Sequence, residues 1–185
     1  MKAILMSIRP KWVAKILKGE KTIEIRTTAP KCALPIDVYI YCTKTIKPIS
    51  DYEWGKFTFD DLPKLGKVVA KFKLRFVEKI YSYGADKLDT ELGSSLEELS
   101  FESCVPEKDL LSYVGNGAFY WGISDLEIFD EPKELSELYT LKCNQKKSPC
   151  NIKDVFGVEE CHEICKLCKP LTKAPQSWCY VEEKA

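Results

Sequence analysis

The chain has 185 residues, 45% of them apolar, which is enough to build a hydrophobic core in one domain or in one domain with an appended subdomain. Its 28 basic and 28 acidic side chains cancel, so no overall field draws the chain to nucleic acid or to an anionic membrane. The composition therefore excludes a disordered or generally polybasic protein. Any nucleic-acid site has to be local.

The sequence predicts neither a signal peptide nor a membrane span. The apolar run over residues 3–8 is too short for a signal-peptide core and leads into a charged amphipathic segment. No run of apolar residues reaches the ~18 that a spanning helix needs, so no membrane contact is expected. We expect a cytoplasmic protein, in which the nine cysteines are thiols or metal ligands rather than disulfides.

The first predicted elements are a strand over residues 3–8, a helix over 10–18 and a second strand over 22–26. The helix begins at Pro10, whose missing N–H would have been unpaired in any case, and Gly19 can supply a left-handed stop. Between residues 22 and 26 the apolar side chains alternate, which predicts a half-buried strand. The solvent face of that strand carries Thr22, Glu24 and Arg26.

The rest of the chain predicts further strands and helices around a long connection. Strands are expected over residues 36–42, 68–77, 118–129 and 176–181, with the first two paired. Short helices are expected from a capping box at Ser94 or Ser95 and over 106–114. Gly122 is expected to allow a bulge or a close approach. This order of elements predicts an α+β protein whose mixed sheet closes on itself.

A resemblance to a known family covers most of the chain and is specific at Gly19, Lys21, Glu24 and Arg26. Ser7-Ile8-Arg9-Pro10, the helix, and then Gly-x-Lys-x-x-Glu-x-Arg over residues 19–26 are similar to the signature of the ASCH family. Residues 121–132 and 175–181 also resemble the longer phage-associated or bacterial ASCH proteins. The resemblance implies one domain over 1–185, a PUA-like mixed β-barrel flanked by short helices, with a cysteine-rich C-terminal insert over 143–170.

The resemblance also implies a cleft beside the first helix that binds RNA or a modified base in nucleic acid. An amine, a carboxylate and a guanidinium around one cleft suit phosphate and base recognition, with aromatic rings to stack on a base. The predicted nucleic-acid-binding residues are Arg9, Lys11, Trp12, Lys21, Glu24, Arg26, Trp121 and Trp178, and Tyr120 is a further candidate for stacking. The alternative is that Glu24 and Arg26 form a surface salt bridge while the aromatic rings fill the core.

Two other functions stay open. Some relatives resemble enzymes, either single-strand ribonucleases or an amidohydrolase of N4-acetylcytidine; the catalytic group here would be Lys21 as general base, with Thr22 or Glu24 as its partner. The amidohydrolases resemble Lys-Thr-x-Thr at this place, whereas this chain has Glu24 instead of the second threonine. The remaining possibility is a protein-interaction adaptor that makes its contact through the cysteine-rich insert.

The C-terminal cysteines predict a structural zinc site. Four thiolates, two of them in a C-x-x-C arrangement, form the ligand set of such a site. The predicted ligands are Cys150, Cys161, Cys165 and Cys168. Cys143 or His162 could replace Cys150, and the alternative is a loop of free thiols. No P-loop or glycine-rich dinucleotide fingerprint occurs, so no nucleotide cofactor is expected.

Overall fold

The computed structural model describes residues 2–44, 64–83, 87–115, 117–140 and 169–183. The strands are β1 (Lys2–Ile8), β2 (Ile23–Arg26), β3 (Ile36–Cys42), β4 (Val68–Leu74), β5 (Val77–Ser82), β6 (Leu88–Thr90), β7 (Ala118–Gly122), β8 (Ser124–Lys133), β9 (Leu138–Thr140) and β10 (Trp178–Glu183). The helices are α1 (Pro10–Leu17), α2 (Leu96–Ser103) and α3 (Glu107–Val114), and a 3-10 turn covers Leu135–Glu137. Within the described ranges, no helix is long and apolar enough to cross a membrane.

The chain divides into two compact units, each built from separate stretches of sequence. The first unit comprises residues 1–10, 37–71 and 128–185, and the second comprises 11–36 and 72–127. The single domain that we expected over 1–185 stays a prediction.

The first unit is built on a six-stranded mixed sheet in the order β8-β4-β3-β1-β10-β9. The central strand β1 pairs parallel with β3 and antiparallel with β10. Because β1 and β3 are apolar at nearly every position, both of their faces are buried. The predicted strand over residues 36–42 and its pairing with the next strand are confirmed, as is the closing strand at the C-terminal end.

Glu183 joins two strands of the first unit. The hydroxyl of Tyr39 and the ammonium of Lys133 both donate hydrogen bonds to its carboxylate. Burial alone would raise the pKa of Glu183, but these hydrogen bonds outweigh it and hold the pKa below its ordinary value of 4.5. The folded state therefore stabilises the ionised carboxylate of Glu183 more than the unfolded state does.

Replacing Glu183 with glutamine is expected to lower the melting temperature at neutral pH. Because the folded pKa is depressed, the stabilisation is complete above pH 4.5 and is lost as the pH falls through the folded pKa. The difference in melting temperature between Glu183→Gln and the parent protein should therefore shrink below that pH, as followed by circular dichroism. The exposed Glu131 on β8 provides a matched control, Glu131→Gln. If the melting temperatures of Glu183→Gln and Glu131→Gln depend on pH in the same way, the carboxylate of Glu183 does not have this stabilising role.

The second unit is built on a four-stranded antiparallel sheet in the order β2-β7-β5-β6, covered by α2 and α3. Its core consists of Ile23, Ile25, Ile80, Leu88, Leu99, Leu110, Val114, Ala118 and Tyr120. The capping box is confirmed at Ser95, whose hydroxyl accepts from the Glu98 N–H while the Glu98 carboxylate accepts from the Ser95 N–H. The predicted helix over 106–114 is confirmed, with Gly115 as its C-cap.

Two long predicted strands are each divided in the structure. Within the predicted strand over 68–77, β4 ends at Leu74 and β5 begins at Val77. Within the predicted strand over 118–129, Ile123 separates β7 from β8. At Gly122 the ring of Phe76 occupies the space that a Cβ would need. That ring also packs edge-on against Tyr120 at a centroid distance of 5.9 Å, so the predicted close approach at Gly122 is confirmed.

The α+β class is confirmed, but the described strands do not form a closed barrel. They lie in two sheets, with β8 and β9 at the ends of one and β2 and β6 at the ends of the other. β2 pairs with β7 and does not continue the sheet that contains β1 and β3. This pairing places the predicted functional segment at one end of the second sheet.

Candidate functional site

Lys21 is almost completely buried, with 2% of its surface exposed. Its Nζ atom donates a hydrogen bond to the carbonyl oxygen of Ser103 at 2.7 Å and lies 3.2 Å from Oε2 of Glu24. Ser103 is the last residue of α2, where the helix dipole presents partial negative charge. The ammonium group is therefore stabilised by a carboxylate and by the end of a helix.

Glu24 lies between two cations. Its Oε2 contacts Lys21, and its Oε1 lies 3.1 Å from a terminal guanidinium nitrogen of Arg26. The exposed fractions of the Lys21, Glu24 and Arg26 side chains are 2%, 10% and 12%. We call these three residues the charged triad; two cations and one carboxylate leave it with one net positive charge.

The expectation that β2 is half-buried is wrong. The alternative that Glu24 and Arg26 form a surface salt bridge is also wrong, because the two side chains are only 10% and 12% exposed. Glu24 is buried along with Ile23 and Ile25, and α2 packs against the strand. A carboxylate tolerates this position because both of its oxygen atoms face a cation. Alternation of residue types could not reveal the burial, since the covering helix follows about 70 residues later in the sequence.

Backbone hydrogen bonds fix the segment that carries the triad. The N–H of Lys21 donates to the Lys15 carbonyl at 3.2 Å, which ties the segment to α1. The N–H of Thr22 donates to the Glu102 carbonyl at 2.9 Å, and the Thr22 carbonyl accepts from the Ile123 N–H at the same distance. The Thr22 side chain is exposed, so it does not share the buried environment of the Lys21 ammonium.

The ring of Trp12 lies beside the triad, in contact with Lys21. The ring is partly exposed, and the Nζ atoms of Lys11 and Lys21 lie 4.4 Å and 5.4 Å from its centroid. Both distances are within the range of cation–π attraction. The structure thus places five of the predicted residues in one cluster of the second unit: Lys11, Trp12, Lys21, Glu24 and Arg26.

The remaining aromatic candidates in the second unit are part of its core. Trp121 on β7 is fully buried and Tyr120 is 5% exposed, so neither ring is available to stack on a base, and that expectation is corrected. Both lie on a strand with neighbours on each side, β2 and β5. The Tyr120 hydroxyl donates to the Glu78 carboxylate, and burial together with this bond raises the pKa of Tyr120 to about 12.

Two predicted residues belong to the first unit. Arg9 is exposed in the connection after β1. Trp178 is partly exposed on β10, opposite Met6 of β1, and its ring packs edge-on against Tyr180 at a centroid distance of 5.5 Å. Their part in nucleic-acid binding stays a prediction.

The predicted zinc ligands Cys150, Cys161, Cys165 and Cys168, with Cys143 and His162, lie outside the described residues, as does most of the insert over 143–170. The zinc site therefore stays a prediction. In the part of the chain that the structure describes, no three or more potential ligand side chains come together. Cys32, Cys42, Cys104 and Cys179 are free thiols, and burial raises the pKa of Cys42 to about 12.

Sequence analysis missed one partner of the site, Ser103. The group that contacts Lys21 is its backbone carbonyl, which every residue type carries, so no sequence pattern marks it. In the structure α2 ends at this carbonyl, and the following residue, Cys104, adopts a left-handed conformation with φ of 56°.

No protein-family model matches the sequence, and it matches no curated protein. The fold does have solved counterparts. The crystal structure of an ASCH protein from Zymomonas mobilis superposes with a TM-score of 0.54 at 15% sequence identity, covering 97% of this chain and 87% of the other. A Tyr-to-Phe mutant of that protein superposes with a TM-score of 0.54 at 15% sequence identity, covering 100% of this chain and 93% of the mutant chain. A Ser-to-Ala mutant superposes with a TM-score of 0.51 at 13% sequence identity, covering 98% of this chain and 89% of the mutant chain. The likeness shows that this chain has an ASCH-type fold.

Proposed function

We propose that this chain, which has the ASCH-type fold, belongs to the ASCH family and binds RNA, or a modified base in nucleic acid, through the surface formed by α1 and residues 19–26. The observation that supports this most strongly is the charged triad beside the ring of Trp12. It combines a net positive charge with an aromatic ring that two lysines already approach. These are the elements that single-stranded nucleic acid requires.

The burial of the triad supports a role beyond stability. Taking three charges out of water carries a large desolvation penalty, and well-packed apolar residues often stabilise such a position equally well. A buried triad does, however, hold a guanidinium in one orientation. Arg26 is thus positioned by Glu24, which is positioned in turn by Lys21 and the end of α2.

Each residue of the cluster has a separate role in this proposal. Arg26 and Lys11 contact phosphate, since guanidinium and ammonium groups provide most of the sequence-independent affinity. Trp12 stacks on a base through the exposed part of its ring. Lys21 and Glu24 position Arg26 and do not touch the ligand.

The test compares two lysines that lie over aromatic rings. Lys11 lies over Trp12, and Lys79 lies over Tyr81 with Nζ 4.7 Å from the ring centroid. Lys79 is exposed on β5, which β7 separates from β2. Lys11→Ala should weaken the binding of a labelled single-stranded RNA and reduce the salt-dependence slope by about 0.7, as expected for one lost phosphate contact. Lys79→Ala should change neither quantity, as measured by fluorescence anisotropy over a salt series.

Equal effects of the two substitutions would contradict the proposed surface. Such a result would mean that the lysines act only through overall charge. No effect of Lys11→Ala on a protein that binds RNA tightly would place the site elsewhere on the chain.

The contacts of Lys21 distinguish between the two catalytic partners considered for it, because Glu24 lies against its ammonium whereas Thr22 is exposed. Its ammonium is engaged by the Ser103 carbonyl and the Glu24 carboxylate, and the Thr22 side chain is exposed instead of being buried beside it. Mass spectrometry of RNA and of modified nucleosides after incubation with the protein tests an enzymatic role directly. Turnover that Lys21→Met abolishes would establish an enzyme in place of a binding protein.

A further inference from the structure

An open groove of about 490 Å³ lies beside α2 in the second unit. The turn before the helix supplies one side of it and the exposed face of the helix supplies the other. Its lining includes Leu92, Gly93, Ser94, Glu97, Phe101 and Glu102.

Two apolar side chains in this groove are almost fully exposed. Leu92 is 81% exposed and Phe101 is 82% exposed, the highest values among the large apolar side chains that the structure describes. Single exposed apolar residues are ordinary on a protein surface, but two that line the same groove form an apolar contact site. Aromatic residues at such positions provide much of the binding energy in protein interfaces.

The groove lies in an acidic part of a neutral chain. Residues 88–109 carry seven carboxylates and a single lysine, so the rest of the chain has a matching excess of positive charge. Glu98 is occupied in the helix cap, whereas Glu97 and Glu102 are exposed in the groove. An anionic surface repels phosphate, so the groove suits a cationic ligand rather than nucleic acid.

The turn that forms the groove is held in place before any partner binds. The N–H of Leu92 donates to the buried carboxylate of Glu78 at 2.5 Å, and the N–H of Ser94 donates to the Thr90 hydroxyl at 2.9 Å. A surface that is already ordered loses little conformational entropy on association.

We infer that this groove docks a short basic segment of a partner protein. An apolar side chain of the segment packs against Leu92 and Phe101, and its lysine or arginine side chains pair with Glu97 and Glu102. The apolar contact provides affinity, and the charges select the partner and its orientation.

The probe for this site is a short labelled peptide in which lysine alternates with leucine. Two matched peptides replace either the lysines with glutamate or the leucines with serine. Binding to the whole protein is followed by fluorescence anisotropy for the parent, for Phe101→Ser and for Glu97→Gln/Glu102→Gln. Tyr113→Ala and Glu107→Gln on α3 are the controls, because both side chains are exposed and neither lines the groove.

The lysine–leucine peptide should bind the parent and both controls equally, and each groove variant should bind about tenfold more weakly, as expected when one anchoring contact is lost. Neither matched peptide should bind. The inference is overturned if the lysine–leucine peptide does not bind, or if groove and control variants bind it equally. It is also overturned if the parent is a dimer that Phe101→Ser dissociates, since the occupant is then a second copy of this chain. RNA binding by Phe101→Ser should remain at the parental level.

Discussion

Replacing Glu24 with glutamine is expected to lower the free energy of unfolding by about 3–5 kcal/mol, the range for removing one partner of a buried ion pair. Glutamine keeps the shape of the side chain but leaves the charges of Lys21 and Arg26 without their carboxylate. Lys21 is only 2% exposed, so water cannot replace the lost partner of its ammonium, and Arg26, at 12%, is reached by little water. Urea denaturation with linear extrapolation measures the change.

An exposed ion pair of the same kind provides the control. Glu20 lies 3.0 Å from Nζ of Lys15, with side chains that are 50% and 32% exposed. Glu20→Gln should therefore change stability by less than about 1 kcal/mol. Similar small changes for both variants would show that the triad is not buried as described.

Trp12→Ala is expected to weaken the binding of single-stranded RNA by about 1–3 kcal/mol, the usual contribution of one aromatic ring that stacks on a base. Trp12→Phe should retain most of the affinity, because a smaller ring still presents an aromatic face. Anisotropy titrations at constant salt measure both variants, and circular dichroism verifies that they remain folded.

Tyr113→Ala is the matched control for Trp12, since Tyr113 is a half-exposed aromatic side chain on α3. Its removal should leave RNA affinity unchanged. If Trp12→Ala binds RNA as the parent does, the ring does not stack on a base, and its contacts with Lys11 and Lys21 are purely structural.

Local sequence signals predicted the elements around the site well. Pro10 begins α1 and Gly19, with φ of +74°, follows its end, because these residues have backbone preferences that hold in any context. The capping box at Ser95 and the close approach at Gly122 are local in the same sense. Such features depend on a few neighbouring residues, so the sequence contains them directly.

The features that determine the site are not local. Glu24 is buried by a helix that follows much later in the chain, and Lys21 is held by a backbone carbonyl 82 residues away. Trp121 differs from Trp12 only in tertiary position, one in a core strand and the other on a partly exposed helix. The resemblance of residues 19–26 to the ASCH signature therefore singled out the members of the charged triad. Neither that resemblance nor the spacing predicted the burial of the triad or the contact of Lys21 with the Ser103 carbonyl.

The most direct test of the proposed function is a titration of the parent protein with labelled single-stranded RNA over a salt series. With Lys11 and Arg26 as phosphate contacts, binding should saturate at low salt, and the logarithm of the affinity should fall linearly with that of the salt concentration, with a slope of about −1.4. The absence of saturable binding at low salt, or an affinity independent of salt, would contradict the proposal.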